Sequence, residues 1–235
     1  MTRISAAAHR GSSDLPPRNS HDDKQRLLAA SDAWRDVARR AGRYAASTLD
    51  SFITSSPAME SAVKALRAFT ENLAAHISSG HGLVLYGPCG TGKDHLMFAA
   101  MRAAASAGFR VRWENGIDWF GQLRDRIDDG GSEETMIRPL VNCDILGISD
   151  PVPPSGDLSS YQGQMLLRVI DRRYRHRRST FVTLNVRDRA EAISRMGAPI
   201  VDRLIDNALV VHCAWESFRR PLPLPPDITL THRST

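Results

Sequence analysis

The sequence contains few cysteines and no long apolar run. Its three cysteines, Cys89, Cys143 and Cys213, match neither a zinc-binding spacing nor a paired disulfide framework, as is usual in a reducing compartment. No apolar stretch approaches the roughly 20 residues that span a bilayer, and the first residues, "MTRISAAAHRGSSDLPPRNS", lack the apolar region of a signal peptide. We therefore expect a cytoplasmic protein that has no contact with a membrane.

Lysine is also scarce. Lys24, Lys64 and Lys93 are the only lysines, so 28 of the 31 basic residues are arginines, and the formal net charge is +5. Guanidinium groups match the geometry of phosphates, so this balance favours polyanionic partners such as nucleic acids. An arginine-rich genomic composition is the alternative explanation.

A chain of 235 residues is long enough for one main domain, since single domains commonly hold about 100 to 200 residues. We divide it into a flexible leader (1–22), an N-terminal helical segment that serves as an adaptor (23–58), a nucleotide-binding domain (59–220) and a proline-rich tail (221–235). The stripe of apolar residues between 23 and 47 fits either a partner-docking helix or a helix packed on the domain.

Short apolar runs alternate with helical patterns along most of the chain. Helices are predicted near 23–47, 59–78, 93–106, 117–128, 159–176, 188–196 and 199–206, and strands near 83–86, 109–113, 143–148, 180–184 and 208–212. Such alternation is typical of βαβ units around a parallel sheet that is buried on both faces. The predicted fold class is therefore α/β, with five parallel strands and preceding N-terminal helices.

The segment "GPCGTGKDH" lies between the apolar run "GLVLY" and a helical pattern. Glycines there allow close approach to phosphates, and the start of a helix favours negative charge. The pattern G-x-x-x-x-G-K predicts a phosphate-binding loop for ATP or ADP. The predicted cofactor-binding residues are Gly87, Pro88, Cys89, Gly90, Thr91, Gly92, Lys93, Asp94 and His95.

Asp94 stands where the usual loop has a Ser or Thr whose hydroxyl binds Mg²⁺. Its carboxylate either binds the metal or repels the polyphosphate. A third interpretation is that it only caps the first turn of the helix.

Several further segments occur in a characteristic order: "CDILGISD", "IDRRYRHRRSTFVTLNV" and "PIVDRLIDNALVVHCAWESFRR". With the phosphate loop, they resemble the DnaC/IstB group of AAA+ ATPases over residues 50–220. That group includes replicative helicase loaders and transposition-regulator ATPases. The resemblance implies a P-loop AAA+ three-layer sandwich that binds ATP and Mg²⁺.

The resemblance also implies roles for three polar residues. Asn185 in "TLNV" matches the residue that orients the attacking water, and Arg203 in "VDRLID" matches the arginine finger that acts on a neighbouring subunit. Arg219 in "WESFRR" matches an arginine that contacts the nucleotide. Simpler alternatives are a turn residue for Asn185, a surface ion pair for Arg203 and a solvated tail charge for Arg219.

The acidic motif departs from the family pattern, in which two acidic residues end a strand. Here Ser149 and Asp150 stand in their places. If the register holds, Asp150 is the catalytic acid, and Asp94, Ser149 and Asp150 serve the metal. The usual hydroxyl and carboxylate would then be exchanged between loop and strand. Gly147 leaves open a bulge that would instead move Asp150 to the metal position; both arrangements predict slow hydrolysis.

Two segments are candidates for nucleic-acid contact. Aromatic and basic side chains that suit base stacking occur in "GIDWFGQLRDRIDD", and the run "RRYRHRR" is the densest basic stretch. The candidate residues are Trp119, Phe120, Arg124, Arg126, Arg172 and Arg173. A buried helix face is the stronger explanation of the aromatic residues, and a helix terminus explains the basic run. The resemblance also leaves open a contact of the basic run with a partner subunit.

We expect a helicase loader that binds ATP and single-stranded DNA, self-associates through Arg203 and acts on a replicative helicase. It is a possible ATPase whose hydrolysis is slow. One alternative is a transposition helper that binds duplex DNA and acts with a transposase. Another is an adaptor that binds the nucleotide without hydrolysing it.

Overall fold

A computed structural model describes the backbone of residues 20–220 and the side chains of residues 22–220. Most of the predicted leader and the predicted tail, 221–235, lie outside the described residues. None of the helices in the described part is long and apolar enough to cross a membrane.

Helices and strands alternate through the described part of the chain. The strands are β1 (Gly82–Tyr86), β2 (Val111–Asn115), β3 (Ile145–Ser149), β4 (Ser179–Leu184) and β5 (Ala208–His212). The helices are α1 (Ser20–Ala41), α2 (Pro57–Glu71), α3 (Leu73–Ser79), α4 (Lys93–Ser106), α5 (Gly116–Asp128), α6 (Glu133–Asn142), α7 (Ser160–Arg175), α8 (Arg189–Met196) and α9 (Ala198–Ile205), with a 3-10 turn at Gly42–Tyr44.

The five strands form one parallel sheet in the order β2-β3-β4-β1-β5. Successive side chains of a strand point to opposite faces, and both faces of this sheet are covered. Leu83 and Leu85 pack in the apolar cluster formed with α1 to α4, whereas Val84 packs in the cluster formed with α5 to α9. This three-layer arrangement confirms the predicted fold class.

Helix α1 packs on the domain. Val37 and Ala41 are buried in the same cluster as α2 and α4. Arg40 forms an ion pair with the buried Glu114 of β2, and its guanidinium lies 5.5 Å from the ring centre of Trp113. The inner face of the predicted N-terminal segment is therefore part of the core.

Several predicted boundaries differ from the structure. The helix predicted for 23–47 ends at Ala41, and the one predicted for 59–78 is interrupted at Asn72, between α2 and α3. Strand β2 begins two residues later than predicted. Helix α6 was not predicted; Ser132 caps it through a bond to the Glu134 N–H, and it contains Pro139.

Strand β3 contains no bulge at Gly147. Gly147 pairs in register with Trp113 of β2 and with Phe181 of β4. A Cβ at this position would lie 2.5 Å from the Met101 sulfur, so the glycine makes room for α4. The bulge interpretation is therefore wrong, and Ser149 ends the strand with Asp150 directly after it.

Candidate functional site

The predicted phosphate loop joins the carboxyl end of β1 to the first turn of α4. Gly92 precedes the helix with φ of +85°, in the left-handed region that glycine adopts at little cost. The N–H groups of a first helical turn have no partner within the helix. The loop therefore offers unpaired donors and a favourable dipole to an anion.

Lys93 lies within this loop. It is 5% exposed, and its Nζ donates hydrogen bonds to the Gly87 carbonyl at 2.8 Å and to the Pro88 carbonyl at 2.6 Å. Burial lowers the pKa of Lys93, while the carboxylate of Asp150 opposes this shift. A cation held in a glycine-rich loop is suited to binding phosphate.

Asp94 contacts the ends of two neighbouring strands. Its Oδ1 accepts hydrogen bonds from the Ser149 hydroxyl at 2.8 Å and from the Thr183 hydroxyl at 2.9 Å. The Trp113 indole N–H in turn donates to the Ser149 oxygen at 2.9 Å. The loop carboxylate and the strand hydroxyl, whose positions are exchanged relative to the usual motif, are therefore in direct contact.

Asp150 follows β3 in the left-handed region, with φ of +45°. Its backbone N–H donates to the Thr183 carbonyl at 3.1 Å, but its Oδ1 is buried without a hydrogen-bond partner among the described residues. Burial and the nearby Asp94 raise the pKa of Asp150 to about 6, against the opposing effects of Lys93 and Asn185. A buried carboxylate oxygen without a protein partner leaves an acceptor that water, a metal or a ligand can satisfy.

A hollow of about 660 Å³ lies beside the loop. Asp150, Asn185 and Arg219 line it together with Lys93 and Asp94. The structure thus brings together the acidic, amide and arginine residues that were predicted from three separate segments.

The hollow has another wall that was not predicted, formed by the segment between α1 and α2. Tyr44, Phe52 and Ile53 line the hollow, and the ring of Phe52 lies edge-on to His95 and Phe218. The His95 Nε2 lies 2.9 Å from the Thr48 carbonyl oxygen. Apolar side chains beside a phosphate cradle are suited to holding a base, and no motif in the sequence marks these residues.

The C-terminal end of the described chain closes over the loop. The Trp215 indole donates to the Thr91 carbonyl at 2.8 Å, and the Phe218 N–H donates to the Gly90 carbonyl at 2.9 Å. Exposed Arg219 lies next to Gly90 as part of the hollow. The segment "WESFRR" is therefore part of the same site.

Arg203 lies away from this hollow. Its Nε donates to Asp171 at 2.9 Å, and its guanidinium is 5.9 Å from the ring centre of Tyr174. Arg203 and Tyr174 line a second hollow, of about 470 Å³, where the strands begin. Arg203 therefore does not contact the phosphate loop of its own chain, and its role toward a neighbouring subunit stays a prediction.

Three of the six nucleic-acid candidates are buried. Trp119 and Phe120 are 2% and 4% exposed in the core, and Arg173 is 0% exposed and donates to backbone carbonyls that include that of Leu140 at 2.6 Å. For these three residues the prediction of nucleic-acid contact is wrong, because none presents its side chain to solvent.

The remaining candidates are accessible. Arg124 and Arg126 are exposed on α5, and Arg172 is partly exposed while it forms an ion pair with Glu134 at 2.8 Å. A role of these three arginines in nucleic-acid binding stays a prediction.

The pair of carboxylates beside the loop suits a metal bound together with a nucleotide. Among the described residues, no group of three or more His, Cys, Asp and Glu side chains forms a potential metal site. Mg²⁺ typically binds one or two carboxylates and completes its shell with phosphate oxygens and water. Asp94 and Asp150 match that requirement.

Comparison with known proteins gives one family match. The family described as "IstB-like ATP binding protein" matches residues 22–222. The replicative helicase loader DnaC of Buchnera aphidicola is 27% identical over 157 residues, which are 66% of this chain and 60% of that protein. An insertion sequence ATP-binding protein of Sinorhizobium fredii is 29% identical over 151 residues, which are 61% and 48% of the two chains. The chain thus spans about half to three fifths of these relatives.

Solved structures show the same fold. The crystal structure of the DnaC helicase loader superposes with a TM-score of 0.65 at 25% identity and covers 73% of this chain and 98% of that one. DnaI gives a TM-score of 0.59 at 17% identity, covering 75% and 93%. DnaA bound to AMPPCP and single-stranded DNA gives 0.58 at 21% identity, covering 70% and 49%. At their lower identity, the last two show the fold alone.

Proposed function

Because the chain belongs to the IstB-like ATP binding protein family, we propose that it binds ATP with Mg²⁺ at the phosphate loop and acts as a loader of a replicative helicase. The observation that carries the loader role is the superposition on the DnaC helicase loader over 98% of that chain at 25% identity. The DnaC relative of Buchnera supports the same role.

Three features of the site fit ATP and Mg²⁺. Lys93 is held among glycines at the start of a helix, a hollow of about 660 Å³ adjoins it, and Asp150 keeps a buried oxygen that has no hydrogen-bond partner within residues 22–220. When bound, the metal neutralises charge that develops on the phosphates.

In this site Lys93 binds the phosphates. Asp94 holds the metal, while Ser149 and Thr183 orient its carboxylate through the hydrogen bonds on Oδ1. Asp150 accepts a proton from the attacking water, and Asn185 positions that water beside it. Arg219 contacts the nucleotide. Water adds to the γ-phosphorus as the bond to the β-phosphate oxygen breaks, so the products are ADP and inorganic phosphate.

The exchange of hydroxyl and carboxylate explains how a loop with Asp94 still serves a metal. The usual loop hydroxyl and strand carboxylate are replaced by a loop carboxylate and a strand hydroxyl, and the two groups are hydrogen-bonded at 2.8 Å. One negative charge is therefore retained in the pair. Hydrolysis is expected to be slow, because a carboxylate in the loop and a hydroxyl on the strand would hold Mg²⁺ where the usual site has the reverse.

The helicase-loader role is tested with purified partners. We expect the chain and ATP to increase the amount of the host's replicative helicase bound to labelled single-stranded DNA, and Lys93→Ala to abolish the increase. If neither the wild-type chain nor Lys93→Ala changes the amount of helicase bound to the DNA, the loader role is wrong.

A transposition helper is the second candidate, and the insertion sequence ATP-binding relative favours it. This role requires tighter binding of duplex than of single-stranded DNA and an effect on a transposase. Tight ATP binding without turnover would instead identify the third candidate, an adaptor that does not hydrolyse its nucleotide.

A further inference from the structure

The turn that joins α7 to β4, residues 176–178, lies at the amino ends of the strands, whereas the phosphate loop lies at their carboxyl ends. Strands of five or six residues separate these two edges by roughly 16 Å at about 3.3 Å per residue. An anion bound at this turn is therefore distinct from the nucleotide in the loop of the same chain.

The backbone of this turn is fixed in an unusual conformation. Arg177 has φ of +49°, a region that residues with a side chain rarely adopt. Its N–H donates to the Tyr174 carbonyl at 3.0 Å, and the next N–H donates to the Arg173 carbonyl at 2.9 Å. The turn also packs closely on Gly80, where an added Cβ would lie 2.8 Å from the backbone of Arg177. The exposed side chain of Arg177 is thus held at a defined place.

Two hollows of about 470 and 710 Å³ flank the turn, and Arg177 and Arg178 line both of them. Six arginines in total line the two hollows: Arg26, Arg172, Arg175, Arg177, Arg178 and Arg203. Two carboxylates, Asp144 and Asp206, line them as well. We call this surface the arginine face.

Most charges of the arginine face are partly paired. Asp171 pairs with Arg175 and Arg203, Asp144 pairs with Arg178, and Glu134 pairs with Arg172. For Arg177, no carboxylate within residues 22–220 lies at ion-pair distance, and the same holds for Arg26, whose guanidinium lies over Phe109.

Arg173 adds a charge beneath the turn. It is fully buried, and its guanidinium donates to backbone carbonyls, among them those of Leu140 at 2.6 Å and Cys143 at 3.1 Å, while no carboxylate within residues 22–220 lies at ion-pair distance. The six arginines that line the hollows meet four carboxylates, the lining Asp144 and Asp206 and the paired Asp171 and Glu134, which leaves an excess of two positive charges at this surface. Such an excess around two adjoining hollows attracts a chain of phosphates more than a single anion.

We propose that the arginine face binds the phosphodiester backbone of a nucleic acid, with Arg177 as its central contact. This inference rests on the proposed DNA-dependent function. It places the contact with nucleic acid at the edge of the sheet where the strands begin, instead of on helix α5. Exposed guanidinium groups that form weak surface ion pairs exchange those partners for phosphates at small cost.

The test measures fluorescence anisotropy of labelled single-stranded and duplex oligonucleotides with the full chain. Arg177→Glu is expected to weaken binding at least about tenfold and to reduce the salt dependence of the association constant by about 0.7 per lost single-strand phosphate contact. Arg102→Glu is the matched control: it reverses the charge of an exposed arginine on α4 that lines neither hollow and is expected to change binding less than about twofold. Arg124→Glu tests the rival contact on α5.

Arg177→Gly distinguishes a loss of nucleic-acid binding from a loss of folding. Glycine adopts a positive φ without strain, so this variant is expected to keep or raise the melting temperature while nucleic-acid binding falls. ATP affinity is expected to stay unchanged in both Arg177 variants, because the loop is at the other edge of the sheet.

The outcomes separate this inference from the proposed function. Suppose that wild type binds nucleic acid, that Arg124→Glu weakens this binding and that neither Arg177 variant does. The proposed role of the arginine face is then wrong, while the proposed DNA-dependent function stands. If wild type binds neither oligonucleotide with ATP present, the DNA contact of the proposed function fails, and the arginine face fails with it. The ratio of single-strand to duplex affinity shows which nucleic acid supplies the phosphates.

Discussion

At the scale of single residues, the two departures from the usual motifs explain each other. Considered alone, Asp94 suggests a phosphate loop without its metal-binding hydroxyl. Ser149 alone suggests a strand without its metal-binding carboxylate. The 2.8 Å hydrogen bond between them shows one pair of groups with the two members exchanged. The sequence allowed this hypothesis, but only the strand register could place both side chains together, because 55 residues separate them.

The exchanged pair predicts a strong coupling between two substitutions. Asp94→Ser leaves two hydroxyls and Ser149→Asp leaves two facing carboxylates, so each is expected to weaken Mg²⁺-dependent ATP binding. The double variant restores one of each and is expected to recover most of the affinity, with a coupling energy of about 1 to 3 kcal/mol. The measurement is calorimetric titration with ATP, with and without Mg²⁺.

Independent, additive losses in that cycle would contradict the exchange. Wild-type ATP affinity that is the same without Mg²⁺ would also contradict it, since Asp94 would then serve no metal.

Asp150 predicts a pH-dependent stability of the nucleotide-free protein. Its folded pKa of about 6 lies above the ordinary value of 3.8, so the folded state binds the proton more tightly than the unfolded state. Stability from this group is therefore present below pH 3.8 and is lost as the pH rises through about 6. Asp150→Asn removes the cost of the buried charge and is expected to stabilise the protein at pH 7 by up to about 3 kcal/mol.

Urea unfolding in EDTA at several pH values tests this expectation. The gain from Asp150→Asn should shrink toward pH 4, while the exposed control Asp128→Asn should show no such trend. A gain that does not depend on pH, or a loss at pH 7, would mean that Asp150 carries no buried charge in the folded state.

At the scale of elements, periodicity and motif position predicted the sheet and the helices on both faces. This works because the spacing of apolar residues along a strand or an amphipathic helix follows the face that it buries. Helix α6 escaped prediction, since Pro139 lies inside it and its stability comes from burial of Ile137 and Leu140. The aromatic residues of α5 show the same limit. A buried helix face and a helix face that stacks on bases place aromatic residues at the same spacing. Only the packing of Trp119 in the structure distinguishes them.

The segment between α1 and α2 was the main omission from the site. Phe52 joins the hollow to His95, Trp215 and Phe218, but these contacts connect parts of the chain that are distant in sequence. No spacing rule brings them together. Their placement depends on α1 packing beside β2, which positions the following segment against the phosphate loop.

Phe52→Ala tests whether this segment belongs to the nucleotide site. Deleting a buried ring of this kind costs about 3 to 5 kcal/mol of stability, and we expect ATP affinity to fall as well because Phe52 lines the hollow. The matched control is Phe69→Ala, which removes a similarly buried ring that stacks on His76 instead.

Binding of a fluorescent ATP analogue at a temperature where both variants are folded gives the comparison. Equal affinities in the two variants would mean that the segment supports the fold without contacting the nucleotide.

At the scale of the whole molecule, the two edges of the sheet carry different chemistry. The carboxyl edge holds the phosphate loop and its carboxylates, whereas the amino edge holds the arginine face. Of the arginines of that face, Arg177 is assigned to nucleic acid and Arg203 to a neighbouring copy of the chain. Because Arg203 is remote from its own loop, a catalytic role for it requires a second copy of the chain. Self-association is therefore part of the proposed mechanism.

Mixing two inactive variants tests action between subunits. Lys93→Ala and Arg203→Ala are each expected to lack ATP hydrolysis, while their mixture is expected to regain part of it, since a subunit with Lys93 can then meet a neighbour with Arg203. Asp171→Asn controls for loss of the ion pair of Arg203 and should keep activity. A mixture that stays inactive would argue against action in trans.

The central claim, that the exchanged residues still form a working site, is tested most directly by steady-state ATP hydrolysis. Phosphate release is measured with Mg²⁺, with and without single-stranded DNA, and Lys93→Ala gives the background. We predict slow turnover that Lys93→Ala abolishes and that DNA changes. Turnover no greater than that of Lys93→Ala under both conditions would contradict the claim and show that the loop has kept its shape without the reaction.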